Sequence, residues 1–344
     1  MENNNIAQTQ TPTQEYTPRK AAKYYNRTGG AICLHFVINQ VVQVIAIIII
    51  ALVLTFTSNE PKNISKQLTS GPVLLYLIAI SYIVANITGS IIGFALNGKL
   101  KNSFKGMFTK PGISCSLMSL CIPAAMCIQS VSMILQTLFV SVTGSSGMEN
   151  MQMPQIIPGN TMNNVVYVLY VAILGPITEE LFFRGAVMKG FNFAGQKFAI
   201  VFSAFWFAVF HGNILQAMIA FLLGIFFGYL NVKTGSILPS VLLHITNNSI
   251  ATLLEVISLS MSENTLNIFY IIYLAITIIL GGICLFIVLS KLKKQETKEN
   301  KFFEPEFCPE QSEAGKYGLR TAVKSPCLWI AFIIYAVLIA INIF

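Results

Sequence analysis

The strongest constraint in this chain is a series of apolar runs, several of them reaching the ~20 residues a helix needs to cross a bilayer. They fall near residues 31–57, 71–97, 113–143, 163–190, 198–212, 213–231, 237–260, 267–290 and 327–344. Runs this long exceed buried strands. Backbone amides in hydrocarbon have no water to bond, so each run must satisfy its own groups as a helix. The predicted fold class is therefore all-α, a polytopic transmembrane helix bundle of about nine spans. Pro123 inside the third run predicts a tilt or kink there. The fifth run is short, and Gly212 and Asn213 follow His211. It reads as a helix that stops inside the membrane.

Composition supports a bilayer solvent. Of 344 residues, 54% are hydrophobic and only 10% charged, whereas soluble domains carry about 25% charged residues. The formal charge of +8 does not point to nucleic acid. The Lys and Arg residues sit between apolar runs, and no basic helix is interleaved with stacking aromatics. The basic stretches are 19–27, 99–110, 189–197, 233 and 291–301, while 144–162 and 261–266 have no Lys or Arg. The loop 58–70 is mixed, with Lys62, Lys66 and Glu60. By the positive-inside rule this alternation predicts a cytoplasmic N-terminus in the cell membrane. The seven cysteines form no CxxC pair, and most lie in or beside apolar runs. They read as small hydrophobes and imply neither disulfides nor a thiolate metal site.

The resulting organisation is a polar cytoplasmic tail over 1–30, a bundle over 31–290, a charged cytoplasmic linker over 291–326 and a last span over 327–344. The first apolar run is long and starts late for a cleavable signal, so it reads as a retained signal anchor. Gly89 with Gly93, and Gly224 with Gly228, have the spacing that lets helix backbones approach closely.

Ionisable groups inside spans cost about 2.5–3.5 kcal/mol at the helix centre on insertion scales, so those present mark candidate sites. They are few. Glu179, Glu180 and Arg184 lie in the fourth run, His211 ends the fifth, and His244 lies in the seventh, with Asn247 and Asn248 after it. Glu180 and Arg184 are four apart and can pair on one face. Glu179 points elsewhere and is free for acid–base work. Phe207 shares a face with His211, and His244 shares one with Asn248; Asn247 is a weaker rival. Counting from the adjoining turns, Glu179 and His211 lie roughly 18–23 Å along their helices, and His244 and Asn248 about 12–18 Å. One layer, reached from the basic-loop side, can hold all four. His35 and Glu255 lie nearer span ends and read as structural groups.

Glu179-Glu180-x-x-x-Arg184, Phe207-x-x-x-His211 and His244-x-x-x-Asn248 resemble, in order, the three motifs of the CPBP intramembrane proteases. That family comprises the type II CAAX prenyl endopeptidases and the bacterial bacteriocin-processing and self-immunity (Abi) proteins. The motif region covers about 160–260. The resemblance implies an eight-helix core with a water-filled cavity open to the cytoplasm, here followed by an extra C-terminal span. It implies that Glu179 and His211 activate a water, that His244 and Asn248 stabilise the oxyanion, and that Glu180, Arg184 and Phe207 support the site. The expected partners are the bilayer and a peptide or protein substrate at the membrane: a CAAX tail, a bacteriocin leader or another membrane peptide. Glu179, His211 and His244 could also hold one divalent metal such as zinc, since two imidazoles and a carboxylate leave a position open for water. A metal-free Glu/His-activated water satisfies the same residues. Two alternatives of other classes are a proton-coupled transporter, which usually has repeated halves with paired broken helices, and a catalytically silent immunity or scaffold protein.

Overall fold

A computed structural model describes residues 18–57, 71–97, 100–144, 156, 159–295 and 318–343. The tail up to residue 17, the loop 58–70, most of 144–162 and most of the segment 291–326 lie outside the described residues. Among those described there is no strand. The helices are α1 (Pro18–Thr57), α2 (Gly71–Asn97), α3 (Leu100–Met107), α4 (Cys115–Thr143) and α5 (Thr161–Ala194). They continue as α6 (Gln196–Phe210), α7 (Ile214–Thr234), α8 (Leu238–Ser258), α9 (Glu263–Lys294) and α10 (Pro326–Ile343).

The protein is an all-α, integral membrane helix bundle. Seven helices among the described residues are long and apolar enough to cross a membrane: α1, α2, α4, α5, α7, α8 and α9. The sequence predicted about nine. The other two, α6 and the Pro326–Val337 part of α10, are shorter. With 15 residues, α6 extends about 22 Å and ends, as expected, at the break after Phe210. Gly212 there has φ +64°, a conformation that favours glycine. The Asn213 side chain then accepts from the Leu215 and Gln216 amides and caps α7. The outward faces of α1 and α9 remain apolar and exposed, for example Val41, Ile45, Ile48, Ile272, Ile279 and Phe286. That surface suits lipid contact.

Two boundaries differ from expectation. The first helix begins at Pro18, inside the basic stretch assigned to the tail. Tyr25 and Ala21 on this extension are fully buried against Phe191 and Phe193, and this packing outweighs the local charge. The end of the expected solvated linker is also folded: Tyr25 donates to the Gly318 carbonyl at 2.7 Å, and Ser325 to Asn26 Oδ1 at 2.6 Å.

The α5 segment runs through the middle, touching α1, α2, α6 and α8. Around it, α1 packs on α2 and α10, α4 on α9 and α7, and α6 on α7. Both small-residue spacings serve close approach. A Cβ on Gly93 would stand 2.7 Å from the Ala186 Cβ, and one on Gly89 2.9 Å from Phe182. A Cβ on Gly224 would stand 3.0 Å from the Ala204 Cβ. On the basic-loop side, the end of α3 and the residues after it latch the α7–α8 turn: Gly112 N–H donates to Thr234 O and Ile237 N–H to Met107 O. Gly93→Leu is therefore expected to push α2 off α5 and cost about 1–3 kcal/mol, read as a lowered Tm in detergent; an unchanged Tm would contradict this packing.

Candidate active site

The centre of α5 is irregular. Leu169–Leu174 and Leu181–Val187 are wide π-type turns flanking Gly175–Glu180. Such turns are frequent at functional sites. The sequence explains the first one. The Gly175 N–H bonds Tyr170 O, five residues back, and Pro176 has no N–H to offer. The Val171 carbonyl is thereby released from the helical ladder. Asn248 Nδ2 donates to it at 2.9 Å and ties α8 to α5.

On the far flank of the same turn runs a chain of neutral polar groups. His35 Nε2 donates to Asn86 Oδ1 (2.9 Å), and Asn86 Nδ2 donates to the Thr178 hydroxyl (3.2 Å). Tyr335 of α10 donates to His35 Nδ1 at 3.4 Å. His35 is thus fully buried in mid-helix and stacked on Phe182. It is not a helix-end group, because α1 starts earlier than expected. Its network holds the residue preceding Glu179. Glu255 instead accepts from the Tyr167 hydroxyl (2.7 Å) and the Ile156 amide (3.1 Å), clipping α5 to α8.

Between these flanks lies a buried charge cluster. Glu180 and Arg184 are 0% and 1% exposed and pair at 3.2 Å. His244 Nδ1 donates to Glu180 Oε1 at 3.1 Å, while its Nε2 faces Glu179 Oε2 at 3.7 Å. One imidazole therefore bridges two adjacent glutamates. The Arg184 guanidinium also lies over the Phe207 ring, 4.3 Å from its centroid, a favourable cation–π placement. Phe207 meets His211 and His244 edge-on at 4.9 and 5.7 Å. His211 Nδ1 donates to the Phe207 carbonyl at 2.8 Å, which leaves Nε2 as its open nitrogen. Asn247 Nδ2 lies 3.5 Å from Asn248 Oδ1.

Glu179, Phe207, His211, His244, Asn247 and Asn248 all line one cavity of about 680 Å³. Glu180 and Arg184 stand behind it. Among the described residues no three His, Cys, Asp or Glu side chains are arranged to hold a metal ion.

The direction of the cavity departs from expectation. From His244 and Phe227 its lining continues past Tyr170 to Tyr167, Ile78 and Gln43. Ile78 and Tyr167 lie near the ends of α2 and α5 that adjoin 58–70 and 144–162. Toward the basic-loop ends the bundle is filled by Tyr25, Phe182, Phe183, Phe191 and Phe193. The cavity therefore leads away from the basic loops. Sequence reading also passed over Asn39, Gln40 and Gln43, which line it from α1. Their signal was available: with Phe36 they fall at i, i+3, i+4 and i+7, one stripe of a helix.

The fold and site define a polytopic membrane protein with a carboxylate–imidazole cluster in an intramembrane cavity. Residues 161–250 match the family model described as type II CAAX prenyl endopeptidase Rce1-like. This match supports a relation of the chain to the CPBP and CAAX protease family. No curated protein and no solved structure matches it.

Removing one member of a buried ion pair strands the other, at a cost of about 3–5 kcal/mol. Arg184→Met is expected to destabilise the protein by that order, while the double substitution Glu180→Gln/Arg184→Met recovers much of the loss. Denaturation in detergent measures both; a single variant as stable as the unmodified protein would remove the cluster's structural role.

Proposed function

We propose that this protein is an intramembrane endopeptidase that hydrolyses a peptide bond with water activated by Glu179 and His211. The observation that carries the reading is His244 held between Glu179 and Glu180 at the head of a cavity that His211 and Asn248 also line. The match to the Rce1-like family model over the same residues supports it.

The chemistry follows from which atoms are committed. His211 has Nδ1 anchored on the Phe207 carbonyl, so Nε2 accepts from a water in the cavity. Glu179 takes a proton from that water as its oxygen bonds the substrate carbonyl carbon. Glu180 lies against both Arg184 and His244 and holds the imidazole so that its Nε2 edge faces the developing oxyanion. Asn248 commits one N–H to Val171 and directs its second at the same oxygen. Collapse of the intermediate breaks the C–N bond, and Glu179 returns its proton to the leaving amine. A single oxyanion donor is worth about 2.7–4 kcal/mol of transition-state stabilisation.

The substrate is a peptide segment at the membrane. With basic loops in the cytoplasm, the cavity leads to the opposite face, so substrate arrives from outside.

Two measurements test this reading. The purified protein is expected to cleave members of a peptide library, and Glu179→Ala and His211→Ala are each expected to abolish cleavage. No cleavage by the unmodified protein would remove the enzyme reading, and cleavage persisting in both variants would remove the site assignment. For access, Gln43→Cys is expected to gain labelling by a membrane-impermeant maleimide in intact cells, above the unmodified chain. Labelling only after permeabilisation would reverse the proposed access.

A further inference from the structure

Besides Asn247 and Asn248 of α8, three helices contribute carboxamides to the cavity lining: Asn39, Gln40 and Gln43 from α1, Gln129 from α4 and Gln216 from α7. Such side chains are costly at membrane depth unless they bond something. Their neighbours on α1 show the contrast. Val37, Val41, Val44 and Ile45 on the outward faces are exposed and apolar, while the inward stripe is amide. Asn39 is 7% exposed, yet its Oδ1 has no hydrogen-bond partner among the described residues. The stripe thus presents donors and acceptors to the same cavity that Glu179 and His244 line.

The chemistry of this wall selects a ligand. It is uncharged, so it offers no counter-ion to a carboxylate or phosphate. A hydrocarbon chain would leave each amide desolvated and unbonded, at a cost per group. A carboxamide carries both a carbonyl acceptor and N–H donors, the same pair that a peptide group carries. A helical substrate has those backbone groups already bonded. An extended one presents them free, as in peptide recognition by strand addition.

We propose that Asn39, Gln40, Gln43, Gln129 and Gln216 form a binding wall for the main chain of an extended, uncharged peptide segment. Its substrate class rests on the peptidase reading above. The wall grips backbone amides and is indifferent to side-chain identity, while Glu179, His211 and His244 act on the bond it presents.

The test uses the full chain carrying Glu179→Gln, so that binding is measured without turnover. The probe is a short peptide of alternating leucine and alanine, blocked at both ends and fluorescently labelled, beside a twin with methylated backbone nitrogens. The plain peptide is expected to bind saturably, and the methylated twin roughly tenfold more weakly, since lost donors leave carboxamide oxygens unpaired. Asn39→Leu/Gln43→Leu/Gln216→Leu is expected to remove the discrimination while the Tm is retained. Equal affinities for the two peptides on the unaltered wall overturn the proposal, whether or not the triple variant folds; so does failure of the plain peptide to bind. The peptidase reading fails separately, by absence of cleavage in the protein with Glu179 intact, and discrimination between the peptides would then stand as binding alone.

Discussion

The placement of Arg184 conditions the rest of the bundle. A guanidinium with 1% exposure inside an apolar bundle is tolerable only when charge and π-density surround it. Glu180 lies one helical turn away, and the rings of Phe207 and Phe227 lie within 4.3 and 5.6 Å. Those partners come from α5, α6 and α7, and His244 of α8 closes the cluster through Glu180. Four helices are thereby fixed in mutual register. The same register leaves Glu179, next in sequence to Glu180, as the carboxylate facing the cavity.

The irregularity of α5 is the second device. A regular helix would have used its own N–H groups on every carbonyl between Val168 and Val187. Gly175-Pro176 and the π register free Val171 for Asn248. The hydroxyl of Ser203 reaches the Phe183 carbonyl on the second wide turn. With the His35–Asn86–Thr178 chain on the other flank, the turn bearing both glutamates is held from three neighbouring helices. Tyr335 joins that chain from α10, so the last helix, outside the matched region, contributes to the ground under the site.

Much of this was legible in the sequence. Run length marked the long spans, and the His211-Gly212-Asn213 break marked the short helix that ends inside the bundle. Motif spacing gathered Glu180 with Arg184 and Phe207 with His211, because residues four apart share a helix face whatever surrounds them. The two Gly-x-x-x-Gly pairs identified surfaces of close approach. Less was visible where tertiary packing overrode local character. Tyr25 pulled a basic stretch into the first helix, and Gly318 and Ser325 folded onto it from a segment whose charge pattern suggested a solvated linker. His35 looked like a helix-end group only because the start of α1 was placed too late.

By itself the sequence determined that the chain is a helical membrane protein and which side chains could do chemistry. Hydropathy and a 3.6-residue period are properties of a single segment, and they need no knowledge of neighbours. The tertiary structure alone decided that His244 bridges two glutamates, that Asn248 spends an N–H on Val171, and that the cavity leads away from the basic loops along a stripe of carboxamides. Those facts depend on each helix's rotation about its axis and its depth against the next. Both are set by glycine contacts, wide turns and buried pairs between segments far apart in the chain, which no local pattern encodes.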